Sequence, residues 1–375
     1  MLYFYKVLII SILAGLTSVV QGQWNNPYPA ASAGKNIMYS FFRERPKTLD
    51  PARSYSSNEY IFVAQIYEPP FQYNYLKRPY ELEPLTAVSV PTPVYLDKQN
   101  RQLPANAGIE QIAYSVYRVR LKKGIQYQPH PAFAKKEDGT LYYEAIDENI
   151  LDKIDDIGGF KKQGSRELIA SDYIYQIKRL ANPSLQSPIY GLMSQYIVGL
   201  KDFRTRLVDA KKTTAKPDLE KFSLSGVKLI DRYTYEIKIK GKYPQFIFWM
   251  AMPFFAPMPP EADRFFSQPG MKDKNITLDW YAVGTGAYML TVNDPNRKMV
   301  LVRNPNYHEE FYPAEGEKND RQAGLLKDAG KSLPFIDRIE FSLEKEGIPN
   351  WNKFMQGYYD QSGISAEAFD QAVQF

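Results

Sequence analysis

Val283-Gly284-Thr285-Gly286-Ala287-Tyr288, followed downstream by Arg303-Asn304-Pro305-Asn306-Tyr307, decides how the rest of this chain is read. A bare Gly-x-Gly lacks the third glycine of a dinucleotide-binding loop, so residues 284–286 are expected to make a tight backbone turn before a strand. Between the two motifs, residues 288–292 and 298–303 are strand-like. They flank Asn293-Asp294-Pro295-Asn296, residues that favour turns, and the whole predicts a β-hairpin.

Working outward, the hairpin sits among further alternating segments. Tyr233, Tyr235, Ile237 and Ile239 alternate with Thr234, Glu236, Lys238 and Lys240, the period of two that buries one face of a strand. Tyr117, Val119 and Leu121 alternate with Arg118 and Arg120, and residues 336–343 read as one more strand. Helices lie between. Ser56 and Glu59 form a capping box ahead of the stripe Tyr60, Val63, Ala64 and Tyr67. Ser171 is placed to cap a helix carrying Ile174, Ile177 and Leu180 that ends near Asn182-Pro183. Trp351, Phe354, Met355 and Tyr358 make a third apolar stripe, and all three stripes are assigned to core packing. Residues 96–108 and the charged stretch 135–166 read as surface additions, the second with a short helix near 150–157. Strands interleaved with helices make the chain α/β.

The start of the chain bears on compartment. Residues 1–6 carry one cation, 7–20 are apolar, and Val20-Gln21-Gly22 supplies a cleavage site, so residues 1–22 read as a secretory signal peptide that leaves Gln23 first. The alternative is an uncleaved N-terminal anchor. With no cysteine in 375 residues, disulfides, a thiolate nucleophile and Cys-ligated zinc are excluded, and no lipid-bearing cysteine follows the signal. The expected location is free in the periplasm, without a lipid anchor. The formal charge of +5 includes Lys6, which departs with the signal, and the remaining charges are interspersed. That pattern lacks the basic stripe of a nucleic-acid binder. The 29 Tyr and 21 Phe suit cores and ligand clefts equally. At the other end, Ser365 opens a helical pattern of Ala366, Phe369 and Val373 that stops at Phe375, so the sequence reads as a fragment.

Catalytic patterns are missing from the sequence. His130 and His308 are the two histidines, each isolated in loop-like sequence, where metal sites need clustered ligands. No nucleophile elbow, zinc helix or phosphate loop occurs. The pairs Asp155-Asp156 and Glu309-Glu310 are sequence neighbours whose side chains tend to diverge. The expectation is a protein that is not an enzyme and holds no cofactor or metal.

The order of the segments resembles that of the extracellular solute-binding proteins of family 5, the dipeptide-, oligopeptide- and nickel-binding components of ABC importers. Thr48-Leu49-Asp50-Pro51 with Ile66-Tyr67-Glu68 is similar to the family's opening signature, Pro69 standing where the family has glycine. Residues 117–124, then Ile169-Ala170-Ser171-Asp172-Tyr173 with Lys178-Arg179-Leu180, then Asp231-Arg232-Tyr233-Thr234 continue the series. Residues 253–257, the two opening motifs, Leu333-Pro334-Phe335-Ile336-Asp337 and residues 356–360 complete it.

That resemblance implies two α/β lobes joined by a hinge, with an extra subdomain on the first. Carried over, residues 23–75 and 167–334 form the first lobe. Residues 76–166 form the extra subdomain, with an insertion at 135–166, and residues 335–375 begin a second lobe that is largely missing. It also implies a ligand closed between lobes, a peptide partner and a membrane-embedded ABC permease, with no nucleic acid and a monomeric protein. Strand-like pairing with ligand backbone is expected from Tyr55, Ser56 and Ser57, because an enclosed peptide must satisfy every N–H and C=O. Ser56 is equally suited to cap the following helix. Phe254 and Phe255, between prolines, and Tyr288 form a second group of ligand-binding candidates beside the core-packing reading. Other open readings are a sugar oligomer, opine, haem or nickel complex in the same fold, a periplasmic glycan hydrolase, and a chaperone-like protein with an adhesive aromatic face.

Overall fold

A computed structural model describes residues 27–32 and 34–373; the expected signal peptide lies outside them. Among the described residues the strands are β1 (Ile37–Phe42), β2 (Phe71–Tyr73), β3 (Leu82–Pro84), β4 (Val94–Leu96), β5 (Tyr114–Arg120), β6 (Val227–Asp231), β7 (Thr234–Lys240), β8 (Tyr288–Asp294), β9 (Lys298–Arg303) and β10 (Arg338–Leu343). The helices that matter here are α1 (Ser57–Ile66), α2 (Ala170–Leu180), α3 (Pro260–Phe266) and α4 (Gly347–Met355).

The alternation at 233–240 does what the period of two requires. Tyr235, Ile237 and Ile239 are buried, and β7 pairs antiparallel with β5 and β6 in a sheet of order β4-β5-β7-β6. The predicted hairpin forms as β8 and β9 in a second sheet, β1-β10-β9-β8, where β1 and β10 run parallel. A two-stranded ribbon, β2-β3, stands apart. One continuous apolar core runs from Phe42 and Phe341 through Phe62 and Ile237 to Phe160 and Phe265.

The structure departs from the sequence reading in several places. Residues 338–343, in the stretch expected to open a second lobe, lie between β1 and β9 in the second sheet. Residues 76–166, expected as a separate subdomain, supply β4 and β5 to the sheet that also holds β6 and β7. The insertion 135–166 is no mere surface addition. Tyr143, Leu151, Ile154 and Phe160 are buried, Phe160 meets Phe265 of α3 at 5.0 Å between ring centroids, and the Gln268 side chain bonds Ile146 N–H and Tyr143 C=O. A few large apolar residues in a charged stretch were enough to dock it.

Ser171 lies inside α2, whose N-cap is Ile169. Asp172 at the third helical position accepts the Ile169 N–H instead, and Arg166 braces that carboxylate with two bonds of 2.8 Å. In α1 the capping box forms as expected, yet the buried face is Glu59, Phe62, Val63 and Ile66, so Tyr60 points to solvent. The stripe was displaced by one residue because Glu59, a charged residue, is buried for its hydrogen bonds. In α4 Trp351 is buried while Met355 is exposed, and Tyr358 lies beyond the helix end. Ser365 precedes a short 3-10 turn and the helix Phe369–Val373 without a capping bond, and Phe369 and Val373 are exposed.

Candidate ligand-binding site

The site grows out of the segment that enters α1. Asp50 is buried with both carboxylate oxygens on Arg179 of α2, and its Oδ1 also accepts Ala52 N–H at 2.9 Å. Burial alone would raise the Asp50 pKa, but the adjacent guanidinium outweighs it and the net shift is down. With this anchor in place the chain turns outward through Ser54, Tyr55 and Ser56. Glu59 then draws the segment in. Its Oε2 accepts from Tyr55 N–H at 2.9 Å and Ser56 N–H at 3.1 Å, and its Oε1 accepts from Lys47 N–H at 3.2 Å. Ser56 Oγ accepts the Glu59 N–H in return.

That arrangement corrects one expectation. The N–H groups of Tyr55 and Ser56 are turned onto Glu59, because a helix start leaves donors that need acceptors. They do not form an open strand edge for a ligand. What the segment presents is the Tyr55 ring, 69% exposed, and the side chains of Ser56 and Ser57.

Beside it lies a cavity of about 470 Å³ walled by Tyr55, Ser56, Ser57, Tyr60, Trp249 and Phe254. The Tyr55 and Phe254 rings lie 5.9 Å apart, and Gln176 of α2 fixes the Phe254 backbone by donating to its C=O at 3.0 Å. Phe254 is nearly buried although it lines the cavity. Phe255 is not part of it; its ring packs against Phe246 in the core. Tyr288 also stands apart, with its ring buried and its hydroxyl donating to the Ile336 C=O at 2.8 Å.

A second cavity, of about 500 Å³, adjoins the first and shares Tyr60 and Pro253 with it. It follows α1 to Tyr67 and Glu68, and its other walls include Tyr73, Tyr75, Tyr307 and Glu310. The Gly284-Thr285-Gly286 turn packs on the end of α1 and brings Gly286 to the cavity wall. Gly286 N–H donates to Ile66 C=O at 2.9 Å, and a Cβ on Gly284 would sit 1.8 Å from that oxygen, so only glycine permits the approach.

Sequence reading missed Tyr60, Tyr73, Tyr75, Trp249, Glu68 and Glu310. Tyr73 ends the short ribbon strand and Tyr75 lies in the bend just beyond it; both line the second cavity. Trp249 ends the four-residue apolar helix Phe246–Trp249, too short to bury every ring. Tyr55, Tyr60, Tyr73, Tyr75 and Phe248 are exposed aromatics beside the half-buried Trp249, and such patches mark binding surfaces.

The histidines differ from each other. His308, expected to be isolated, meets Glu68 at 2.8 Å; burial pushes its pKa down, the Glu68 carboxylate outweighs that, and the net shift is up. His130 caps the 3-10 turn Pro131–Phe133 through Nδ1, which accepts Ala132 N–H at 3.1 Å, and burial pushes its pKa down to about 3. Among the described residues no group of three or more His, Cys, Asp or Glu side chains is placed to hold a metal ion, and no helix is long and apolar enough to cross a membrane.

Residues 163–374 match the family described as bacterial extracellular solute-binding proteins, family 5 Middle. An alignment 196 residues long, covering 48% of the chain, is 29% identical to the periplasmic oligopeptide-binding protein OppA of Salmonella typhimurium and covers 32% of that protein. Among solved structures, OppA of Listeria monocytogenes bound to peptide aligns over 91% of this chain and 49% of its own, with a TM-score of 0.55 and 14% identity. DppA of Helicobacter pylori in complex with the peptide STSA aligns over 90% of this chain and 49% of its own, with a TM-score of 0.56 and 15% identity. At these identities the likeness is one of α/β fold. The chain spans about a third of the length of the curated relative and about half of each solved structure.

Proposed function

We propose that this chain, which belongs to family 5 of the bacterial extracellular solute-binding proteins, is the part of a periplasmic peptide-binding protein that presents one wall of the ligand site. The whole protein captures di- to oligopeptides and delivers them, as a monomer, to a membrane-embedded ABC permease. One observation carries the reading: two adjoining cavities of about 470 and 500 Å³ run along α1 and are walled by exposed aromatics. A single small solute would need one pocket, whereas two in line suit a chain-like ligand with side chains in each. Aromatic faces accept varied side chains, and the serine hydroxyls of Ser56 and Ser57 reach ligand amides directly or through water.

Enclosure between this wall and a second lobe, by hinge closure, accounts for how a shallow surface becomes a desolvated site. Within that reading, residues 23–75 and 167–334 supply most of the wall-bearing lobe, and the secretory signal at 1–22 directs export.

The test is calorimetry on the whole gene product against defined di- to pentapeptides and, separately, oligosaccharides, with small-angle scattering in each state. Saturable peptide binding with a smaller radius of gyration is expected. Binding of an oligosaccharide alone, or peptide binding without compaction, overturns the corresponding part.

A further inference from the structure

We propose that the second cavity receives a basic side chain of the ligand, the ammonium of a lysine or the guanidinium of an arginine. The inference rests on the peptide-binding reading and adds one position of selection by charge.

Glu68 provides the first observation. It lines the cavity, is 4% exposed, and faces His308 through Oε1. Its Oε2 is buried and has no hydrogen-bond partner among the described residues. A buried carboxylate oxygen without a donor is costly, and a lysine or arginine head brings three or five donors to it.

Glu310 provides the second. It lines the same cavity and accepts from the Gln72 amide at 2.6 Å and from the Tyr307 hydroxyl, both neutral donors. It makes no ion pair among the described residues. Burial first, then Glu68 and Glu310, push the Tyr307 pKa up, so both carboxylates act on one hydroxyl. The Gln72 amide reaches a third carboxylate, Glu83, at 3.0 Å. Against these stand His308, which balances Glu68 when protonated, and Lys122, which opposes that protonation. Lys77 on the ribbon side is paired with Glu81. The balance is negative, and the carboxylates with His308 do not form a metal-holding group, which leaves an organic cation.

The remaining walls fit the same ligand. Tyr60, Tyr73 and Tyr75 are all exposed, Tyr75 the most, and aromatic faces take both the methylene stem and the charge of a basic side chain.

The test uses the whole gene product and calorimetry with trialanine peptides carrying lysine or norleucine at each position, which differ in charge at nearly equal length. A second arm uses free arginine and putrescine, and a third uses the Glu68→Gln and Glu310→Gln variants, each checked for cooperative unfolding. At one position lysine is expected to bind about tenfold tighter than norleucine, and the ratio to fall toward one in either variant. Equal binding of the two peptides, or a lysine preference that survives in both folded variants, overturns the pocket. If no peptide binds but arginine or putrescine binds and loses affinity in the variants, the pocket stands and the peptide reading falls. If nothing binds in either arm, both are overturned.

Discussion

Arg179 grips Asp50 with two hydrogen bonds, Nη1 to Oδ1 at 2.9 Å and Nη2 to Oδ2 at 2.7 Å, with both side chains out of water. The pair ties α2 to the segment that delivers Tyr55 to the cavity. Asp50→Ala leaves the buried Arg179 guanidinium with only Asp263 at 3.6 Å and the Gln176 amide oxygen at 3.1 Å, so it is expected to destabilise by about 3 kcal/mol. The double replacement Asp50→Leu with Arg179→Met should recover most of that loss, because it removes both charges together. Urea denaturation of the three proteins checks this, and a double variant as unstable as the single one contradicts it.

Tyr55 is exposed and Tyr288 is not, so their replacements should separate binding from stability. Tyr55→Ala is expected to weaken peptide affinity about fivefold to tenfold, with a stability change within about 0.5 kcal/mol. Tyr288→Phe loses only its bond to Ile336, about 0.5–1.5 kcal/mol of stability, and keeps its affinity. Calorimetry beside thermal unfolding reads both, and the reverse pattern would move the site away from Tyr55.

Gly284 meets the end of α1 at a distance no Cβ tolerates. Gly284→Ala should therefore destabilise by about 1–3 kcal/mol or more by forcing the turn off Ile66. A variant of wild-type melting temperature would show that the turn can shift without cost.

His130 stays neutral in the folded protein down to about 3, while its ordinary value is 6.5. The unfolded chain therefore binds a proton that the folded chain refuses. The stability involved is fully present above pH 6.5 and is lost as pH falls toward 3, with a slope approaching about 1.4 kcal/mol per pH unit. His308 has the opposite sign: its folded pKa is raised, so its contribution holds below pH 6.5 and fades above it. Denaturation at pH 4 to 6 should show a shallower pH dependence for His130→Asn, which can still accept the Ala132 N–H without titrating. An unchanged slope would assign the acid sensitivity to other groups.

The α/β class, the hairpin of β8 and β9, the strand at 234–240 and the capping box at Ser56 were legible because each depends on neighbours in sequence. Period-two burial, turn residues and a cap three residues from its partner are local rules, and the ordered motifs added the family. Placement was not local. Nothing in the spacing says that β10 inserts beside β1, that the charged insertion docks Phe160 on Phe265, or that Glu59 is buried and rotates Tyr60 into solvent. The site shows the same division. Tyr55, Ser56, Ser57 and Phe254 could be named from their segments, but Tyr73, Tyr75, Trp249, Glu68 and Glu310 come from distant stretches that only the folded backbone brings to one pair of cavities. Propensity and capping act over a few residues, whereas a cavity is enclosed by contacts between segments as far apart as Glu68 and Glu310, and those contacts exist only once the core has set where each segment lies.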